Sequence, residues 1–178
     1  VTTAKVVVRD MAVTIKATGT VTPLSSIDVR PQVSSAVTKV NFKEGQFVKR
    51  GDVLFTLDSR TDEANASKAR AQLAKDEAGL VDAKRQLTRN QELVTKGFIS
   101  QGAADTSQSN VDGFVATVAA DKAALDAAAT TLSFNTVKAA QSGRVGTINV
   151  FVGSSVVANQ TTLVTITQLD PMAVAFSL

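Results

Sequence analysis

The sequence predicts an α+β chain: a small β domain built from two separated halves, with a long antiparallel helical hairpin inserted between them. Three observations predict it. A motif near the start, Val37-x-x-Val40-x-Phe42-x-x-Gly45-x-x-Val48, recurs as Val145-x-x-Ile148-x-Val150-x-x-Gly153-x-x-Val156, each position 108 residues after its counterpart. Such an ungapped match marks two structurally equivalent halves that pack as one unit. Between the copies, apolar residues recur every seven positions in two successive runs, the pattern of helices packed along a seam. Alternating β-branched segments surround both copies, the signature of strands.

The elements follow in order. In residues 1–24, Lys5-Val6-Val7-Val8 and Val13-Thr14-Ile15-Lys16-Ala17-Thr18-Gly19 read as strands, closed by Pro23. Residues 25–60 hold the first half of the β domain, with strands at Ile27-Asp28-Val29, Val37-Thr38-Lys39-Val40 and Val53-Leu54-Phe55-Thr56-Leu57. Turns fall at Glu44-Gly45-Gln46 and Lys49-Arg50-Gly51-Asp52, where glycine supplies positive φ without steric cost. Residues 61–132 form the hairpin. Leu73, Leu80, Leu87 and Val94 define one seam, widened by Ala66, Ala69 and Ala83, and Val111, Val118, Leu125 and Leu132 define the other. Gly97 suits the position just past the first helix, and Ser100 suits the N-cap of the second. Helices of about 34 residues reach roughly 50 Å, and their short connection forces them antiparallel. A hairpin this long and this polar has little core of its own and works by contacting something else. Residues 133–168 are the second half, with Asn159 standing where Gly51 stands in the first. Asn tolerates left-handed backbone better than most residues, so the two turns are expected to be alike. Residues 169–178 return to strand pattern after Asp170-Pro171.

Composition excludes several functions. The 178 residues contain no Cys and no His, which removes thiol nucleophiles, His-based triads and the commonest transition-metal ligands. Met11 and Met172 are isolated and form no soft-metal cluster. The net charge of +3 is mild, and the aromatic share is 4%; no basic stripe with stacking aromatics supports nucleic-acid binding. Acids such as Asp76, Glu77 and Asp82 fall beside Lys75 and Lys84 and read as solvated or ion-paired residues on an exposed helix. No apolar run approaches the ~18 residues of a membrane span, and no stretch of the 178 residues reads as a signal peptide. The chain reads as a mature or trimmed part of something longer. No enzymatic activity, metal or cofactor is expected.

Paired β motifs about glycine turns resemble biotinyl and lipoyl carrier domains, above all in Val40-Asn41-Phe42-Lys43-Glu44-Gly45-Gln46-Phe47-Val48-Lys49-Arg50-Gly51-Asp52-Val53-Leu54. Those carriers bear a modified Lys on a hairpin between the halves, and Leu57-Asp58-Ser59-Arg60 offers no such Lys. A lipoyl-like β-sandwich (barrel-sandwich hybrid) split by a helical hairpin instead resembles the periplasmic adaptors, or membrane fusion proteins, of RND-type tripartite multidrug efflux pumps. Lys43–Leu54, Gln72-Leu73-Ala74-Lys75-Asp76, Ser142-Gly143-Arg144-Val145-Gly146 and Ile166-Thr167-Gln168-Leu169-Asp170-Pro171 carry the resemblance. It implies that residues 1–24 and 169–178 belong to a partial β-barrel, most of which lies past Leu178. The family's tip motif, Arg-x3-Leu-x6-Ser, is present as Arg89, Leu93 and Ser100. Taken alone, Arg89 reads as a solvated helix residue and Ser100 as a cap. The resemblance implies that these three side chains dock an outer-membrane TolC-like channel.

The resemblance further implies an inner-membrane RND transporter as second partner, self-association into a ring (trimer or hexamer), and a periplasmic location at the inner membrane of a Gram-negative bacterium. Adaptors of ABC-type or metal efflux and secretion systems, and a biotin or lipoyl carrier domain, are the alternatives. The chain departs from the family at Ala139-Ala140-Gln141-Ser142-Gly143, which lacks a Pro, at Ser35 in place of a Gly, and at Gln101-Gly102-Ala103 in place of an acid after the tip Ser.

Overall fold

The computed structural model describes residues 2–11 and 18–176. The N-terminal strand expected at Lys5–Val8 is not there. Those residues join no strand, and Val6 and Val8 are 90% and 95% exposed. β-Branched residues favour extended backbone, but a strand needs a hydrogen-bonded neighbour, and no described segment lies alongside. Of the next expected strand, residues 13–17 lie outside the described residues. β1 (Gly19–Pro23) pairs antiparallel with β10 (Met172–Phe176) as a separate two-stranded sheet.

The β domain consists of two four-stranded sheets. The first runs, in spatial order, β2 (Ser26–Val29), β9 (Val164–Thr167), β7 (Gly143–Val145) and β4 (Phe47–Val48). The second runs β6 (Thr136–Lys138), β5 (Val53–Leu57), β3 (Ser35–Val40) and β8 (Ser155–Val156). The repeat dictates this order: β3 and β7 begin 108 residues apart, at Ser35 and Gly143, and β4 and β8 keep the same offset. Each sheet therefore takes two strands from each half.

The same relation holds in the core and the turns. Val29 with Val137, Val37 with Val145, Phe42 with Val150 and Val48 with Val156 are buried pairs at the repeat offset. The Gly45 N–H donates to the Val145 carbonyl at 3.0 Å, and the Gly153 N–H donates to the Val37 carbonyl at 2.7 Å. The Gly51 N–H bonds the Ala139 carbonyl and the Asn159 N–H bonds the Pro31 carbonyl, both at 2.8 Å. Asn159 adopts φ 58° where Gly51 has φ 94°, so the two turns are alike in hand, as their sequences indicate. Left-handed backbone costs most L-residues roughly 1–2 kcal/mol. Asn159→Val should accordingly lower stability by about that much in urea unfolding, while Asn159→Gly should stay within about 1 kcal/mol of the parent.

The insertion is two long helices, α1 (Arg60–Thr95) and α2 (Gln101–Ser133). At their base, Arg60 grips the Asp58 carboxylate with Nε at 3.0 Å and Nη2 at 2.6 Å, which holds that carboxyl down to about 2. Asn135, only 2% exposed, joins the helices to the sheets. Its Nδ2 donates to Asp62 Oδ2 at 2.6 Å, and its carbonyl accepts the Leu57 N–H at 2.8 Å.

Along the hairpin, the predicted apolar stripe packs inward: Ala66, Val111 and Val118 are buried, and Leu73, Leu80, Leu87, Val94, Leu125 and Leu132 are half-buried. The neighbouring stripe corrects the reading of the acids. Asp76 is not on the solvated face but is 9% exposed within the seam. Glu77 pairs across to Lys122 at 3.6 Å, and Asp82 pairs with Arg85 at 3.4 Å rather than with Lys84. This stripe carries polar rungs at two-heptad spacing: Asp62, Asp76 and Asn90 on α1, and Ser107, Asp121 and Asn135 on the returning arm of the hairpin. Between them Gly79 seats the Phe114 ring, whose Cε1 would lie 2.7 Å from any Cβ at that position. No described helix is long and apolar enough to cross a membrane.

Candidate docking site at the hairpin tip

The tip is shaped by how α1 stops. Gly97 takes φ 75°, its N–H bonds the Val94 carbonyl at 2.9 Å, and the Phe98 N–H bonds the Leu93 carbonyl at 2.9 Å. This is a Schellman closure, in which a left-handed residue satisfies the last carbonyls of the helix. The chain then turns into α2 at Ser100, whose extended backbone (φ −76°, ψ 154°) is that of an N-cap. Its hydroxyl makes no capping hydrogen bond; the cap expected of Ser100 is one of backbone geometry alone. The backbone carbonyl of Ser100 receives the Ala103 N–H at 3.1 Å, and the side chain is left exposed.

Arg89 and Leu93 lie one helical turn apart and so share a face of α1. Leu93 is 37% exposed, which fits its position beside the seam residue Val94. Among the described residues Arg89 makes no ion pair. Its Nη2 donates to Gln86 Oε1 at 2.7 Å, Gln86 Nε2 donates to Asn90 Oδ1 at 3.1 Å, and Asn90 Nδ2 crosses to Ser107 Oγ at 2.6 Å. The Ser107 hydroxyl in turn donates to the Ala103 carbonyl at 3.0 Å. The guanidinium is thus tied, through three amide and hydroxyl side chains, to the first turn of α2. It borders a groove of about 560 Å³ that Gln86, Ser107, Asn110 and Phe114 also line.

The fold brings all three motif residues to the distal end of the hairpin, two on α1 and one at the start of α2. Sequence reasoning missed Phe98, which is 75% exposed at the very turn, and the supporting amides Gln86 and Asn90. The two-heptad spacing of polar seam positions was the available signal for Asn90. Such a surface offers a rigid guanidinium fork, two apolar side chains and a free hydroxyl: the means to grip carbonyl and carboxylate acceptors. Among the described residues, no three Asp or Glu side chains gather closely enough to hold a metal ion.

Residues 25–168 match the family model described as RND MFP, barrel-sandwich hybrid domain. The chain is 38% identical over 161 residues to multidrug resistance protein MdtA of Klebsiella pneumoniae, which covers 90% of this chain and 39% of that relative. It therefore spans about two fifths of that protein's length. Among solved structures, MacA from Actinobacillus actinomycetemcomitans superposes with a TM-score of 0.66 at 28% identity, covering 89% of this chain and 54% of that one. A MacA–MexA chimera containing the Pseudomonas aeruginosa MexA α-hairpin domain gives a TM-score of 0.60 at 29% identity, covering 89% and 53%. The lipoyl-like sandwich split by a helical hairpin is the architecture these proteins share, and the chain belongs to the RND membrane fusion protein family, with residues 25–168 as its barrel-sandwich hybrid domain.

Proposed function

We propose that this chain is the hairpin-bearing part of a periplasmic adaptor that links an inner-membrane RND efflux transporter to an outer-membrane TolC-like channel for drug export, and that Arg89, Leu93 and Ser100 dock the channel. The observation that carries it is a hairpin of roughly 50 Å whose end presents an Arg with no ion-pair partner among the described residues, a Ser hydroxyl not engaged in capping, and exposed Leu93 and Phe98. A helical arm with so little core gains nothing in stability from its length, so its length serves reach. The matching family model is that of RND adaptors, which supports an RND transporter over an ABC-type one. The name of the Klebsiella relative supports drug export.

The carrier alternative loses ground in the base. Leu57 passes through Asp58 and Ser59 straight into α1, so no carrier hairpin joins the halves there. Exposed Phe47, Phe151 and Val152 beside the two glycine turns supply apolar surface that self-association into a ring would cover. On this reading the chain performs no chemistry, and transport energy comes from the transporter.

The test replaces Arg89 and Ser100 by alanine, singly and together, in the entire adaptor within cells, and measures drug susceptibility alongside cysteine cross-linking of the tip to the channel. An interfacial Arg of this kind contributes about 2 kcal/mol or more, a ~30-fold loss of affinity on truncation. Resistance and cross-linking should both collapse in the double variant. If both survive unchanged in correctly folded protein, docking through these residues is wrong.

A further inference from the structure

The most unusual rung of the hairpin is its middle one. Asp76 and Asp121 face each other across the seam about 24 Å from the base, counting 1.5 Å per helical residue from Arg60. Asp76 Oδ2 accepts Gln72 Nε2 at 2.7 Å. Asp121 Oδ2 is enclosed and meets no donor from the described residues. The register that joins Asp62 to Asn135 and Asn90 to Ser107 sets Asp76 opposite Asp121, midway between those two rungs. Two ionised carboxylates are acceptors only, so the enclosed Asp121 Oδ2 finds a partner in Asp76 only when one of the pair carries a proton.

We infer that Asp76 and Asp121 hold one proton between them, and that its loss as pH rises sets two facing carboxylates against each other and loosens the middle of the hairpin.

The surroundings favour this arrangement. Among the described residues, α1 and α2 pack against each other at this level. The charged groups near the pair are Lys75 and Glu77 on α1 and Lys122 on α2. Glu77 and Lys122 bridge the helices at 3.6 Å and largely neutralise each other. That leaves Lys75 as the cation acting on both carboxyls, too little to hold two negative charges together. The pair splits accordingly. Asp121 is raised above the ordinary 3.8, first by its hydrogen bond to Asp76, then by burial and by the Asp76 charge. Asp76 is lowered, first by its bond to Asp121 and then by Gln72. Asp76 is well covered by its immediate neighbours, yet a two-helix arm is thin and water lies close on either side. The split therefore comes chiefly from the mutual bond, the behaviour of a coupled carboxyl pair.

The sign follows for each partner. Asp121 titrates higher folded than unfolded, so its contribution is complete below 3.8 and is lost as pH climbs through its raised value. Asp76 titrates lower folded than unfolded, so its contribution is complete above 3.8 and is lost as pH falls through its lowered value. The singly protonated pair is thus the most favourable state, and hairpin stability is bell-shaped in pH. An arm that is stiff with the proton and softer without it responds to the acidity around it, whether or not its tip docks a channel.

The test follows the unfolding midpoint of this chain by circular dichroism at 222 nm, between pH 3 and 8, for the parent and for Asp121→Asn. The amide introduced by Asp121→Asn would donate an N–H to Asp76 with no proton to lose. The parent should decline on the alkaline side, and the variant should lose that decline and melt roughly 2–4 °C higher at pH 8. Parallel curves overturn the inference. Carboxyl carbon-13 NMR of the unmodified chain gives a readout independent of any variant: Asp121 should titrate above, and Asp76 below, the exposed aspartates. Titration of both with the others overturns it as well.

Discussion

Phe55→Ala should lower the unfolding free energy of this chain by about 3–5 kcal/mol, a large part of the roughly 5–15 kcal/mol typical of a folded domain. Phe55 is 0% exposed in β5, an inner strand of its sheet. It pairs with Val40 on one side and Val137 on the other. Its ring meets Phe42 edge to face, with centroids 5.2 Å apart and planes at 82°, a contact worth about 0.5–1.5 kcal/mol beyond area burial. Alanine removes the ring and leaves a void between two sheets that cannot close without breaking their ladders. Phe55→Leu leaves a smaller void and should cost less. The chain has no Trp or Tyr, so calorimetry is the suitable measurement. A transition unchanged by Phe55→Ala would mean that the two sheets do not share the core described above.

Gly143→Ser should cost about 1–3 kcal/mol through overpacking. A Cβ on Gly143 would stand 2.5 Å from the Thr167 carbonyl oxygen and 2.9 Å from its carbon. Both are backbone atoms of β9, the strand that β7 must pair with, so neither can swing aside. The equivalent position in the first half is Ser35, where the hydroxyl fits and donates to the Asp58 carbonyl at 2.9 Å. Ser35→Gly should therefore cost only about 1 kcal/mol, the net worth of one hydrogen bond. Urea unfolding of the two variants checks the contrast. Equal losses would mean that the halves are interchangeable at this point, contrary to the close approach of β9.

Much of this architecture was legible because it is periodic. The offset of 108 placed the paired turns and, at Asn159, told which non-glycine residue takes positive φ. The seven-residue recurrence located the seam from Leu73 to Val94 and from Val111 to Leu132. What stayed hidden is what periodicity of apolar residues cannot register. Asp76 and Asp121 lie at seam positions but read as surface by residue type, because burial of a carboxyl depends on the partner it faces across the hairpin. Asn135 is buried for the same reason: Asp62 takes its Nδ2–H and Leu57 its backbone carbonyl, while its Oδ1 meets no donor among the described residues. Lys5–Val8 failed in the opposite direction, since β-branched composition alone does not supply a neighbouring strand. At the tip, the motif spacing identified Arg89, Leu93 and Ser100 as candidates, while Phe98 and the amide relay behind Arg89 required knowledge of where the chain turns.

Because each sheet takes strands from both sides of the helical insertion, neither half can complete a sheet by itself, and the order of assembly matters. Closing so long a loop by random search carries an entropic cost that grows with its length, and contacts distant in sequence form slowly. The helices shorten that search. Zipping from the Gly97 turn downward, α1 and α2 make only progressive, neighbouring contacts until Leu57 and Asn135 arrive side by side, with Thr56 beside Thr136. The arm is thus also a splint for its own base, and a weakened seam would show first as sluggish formation of the β-sandwich, far from where the helices touch anything else.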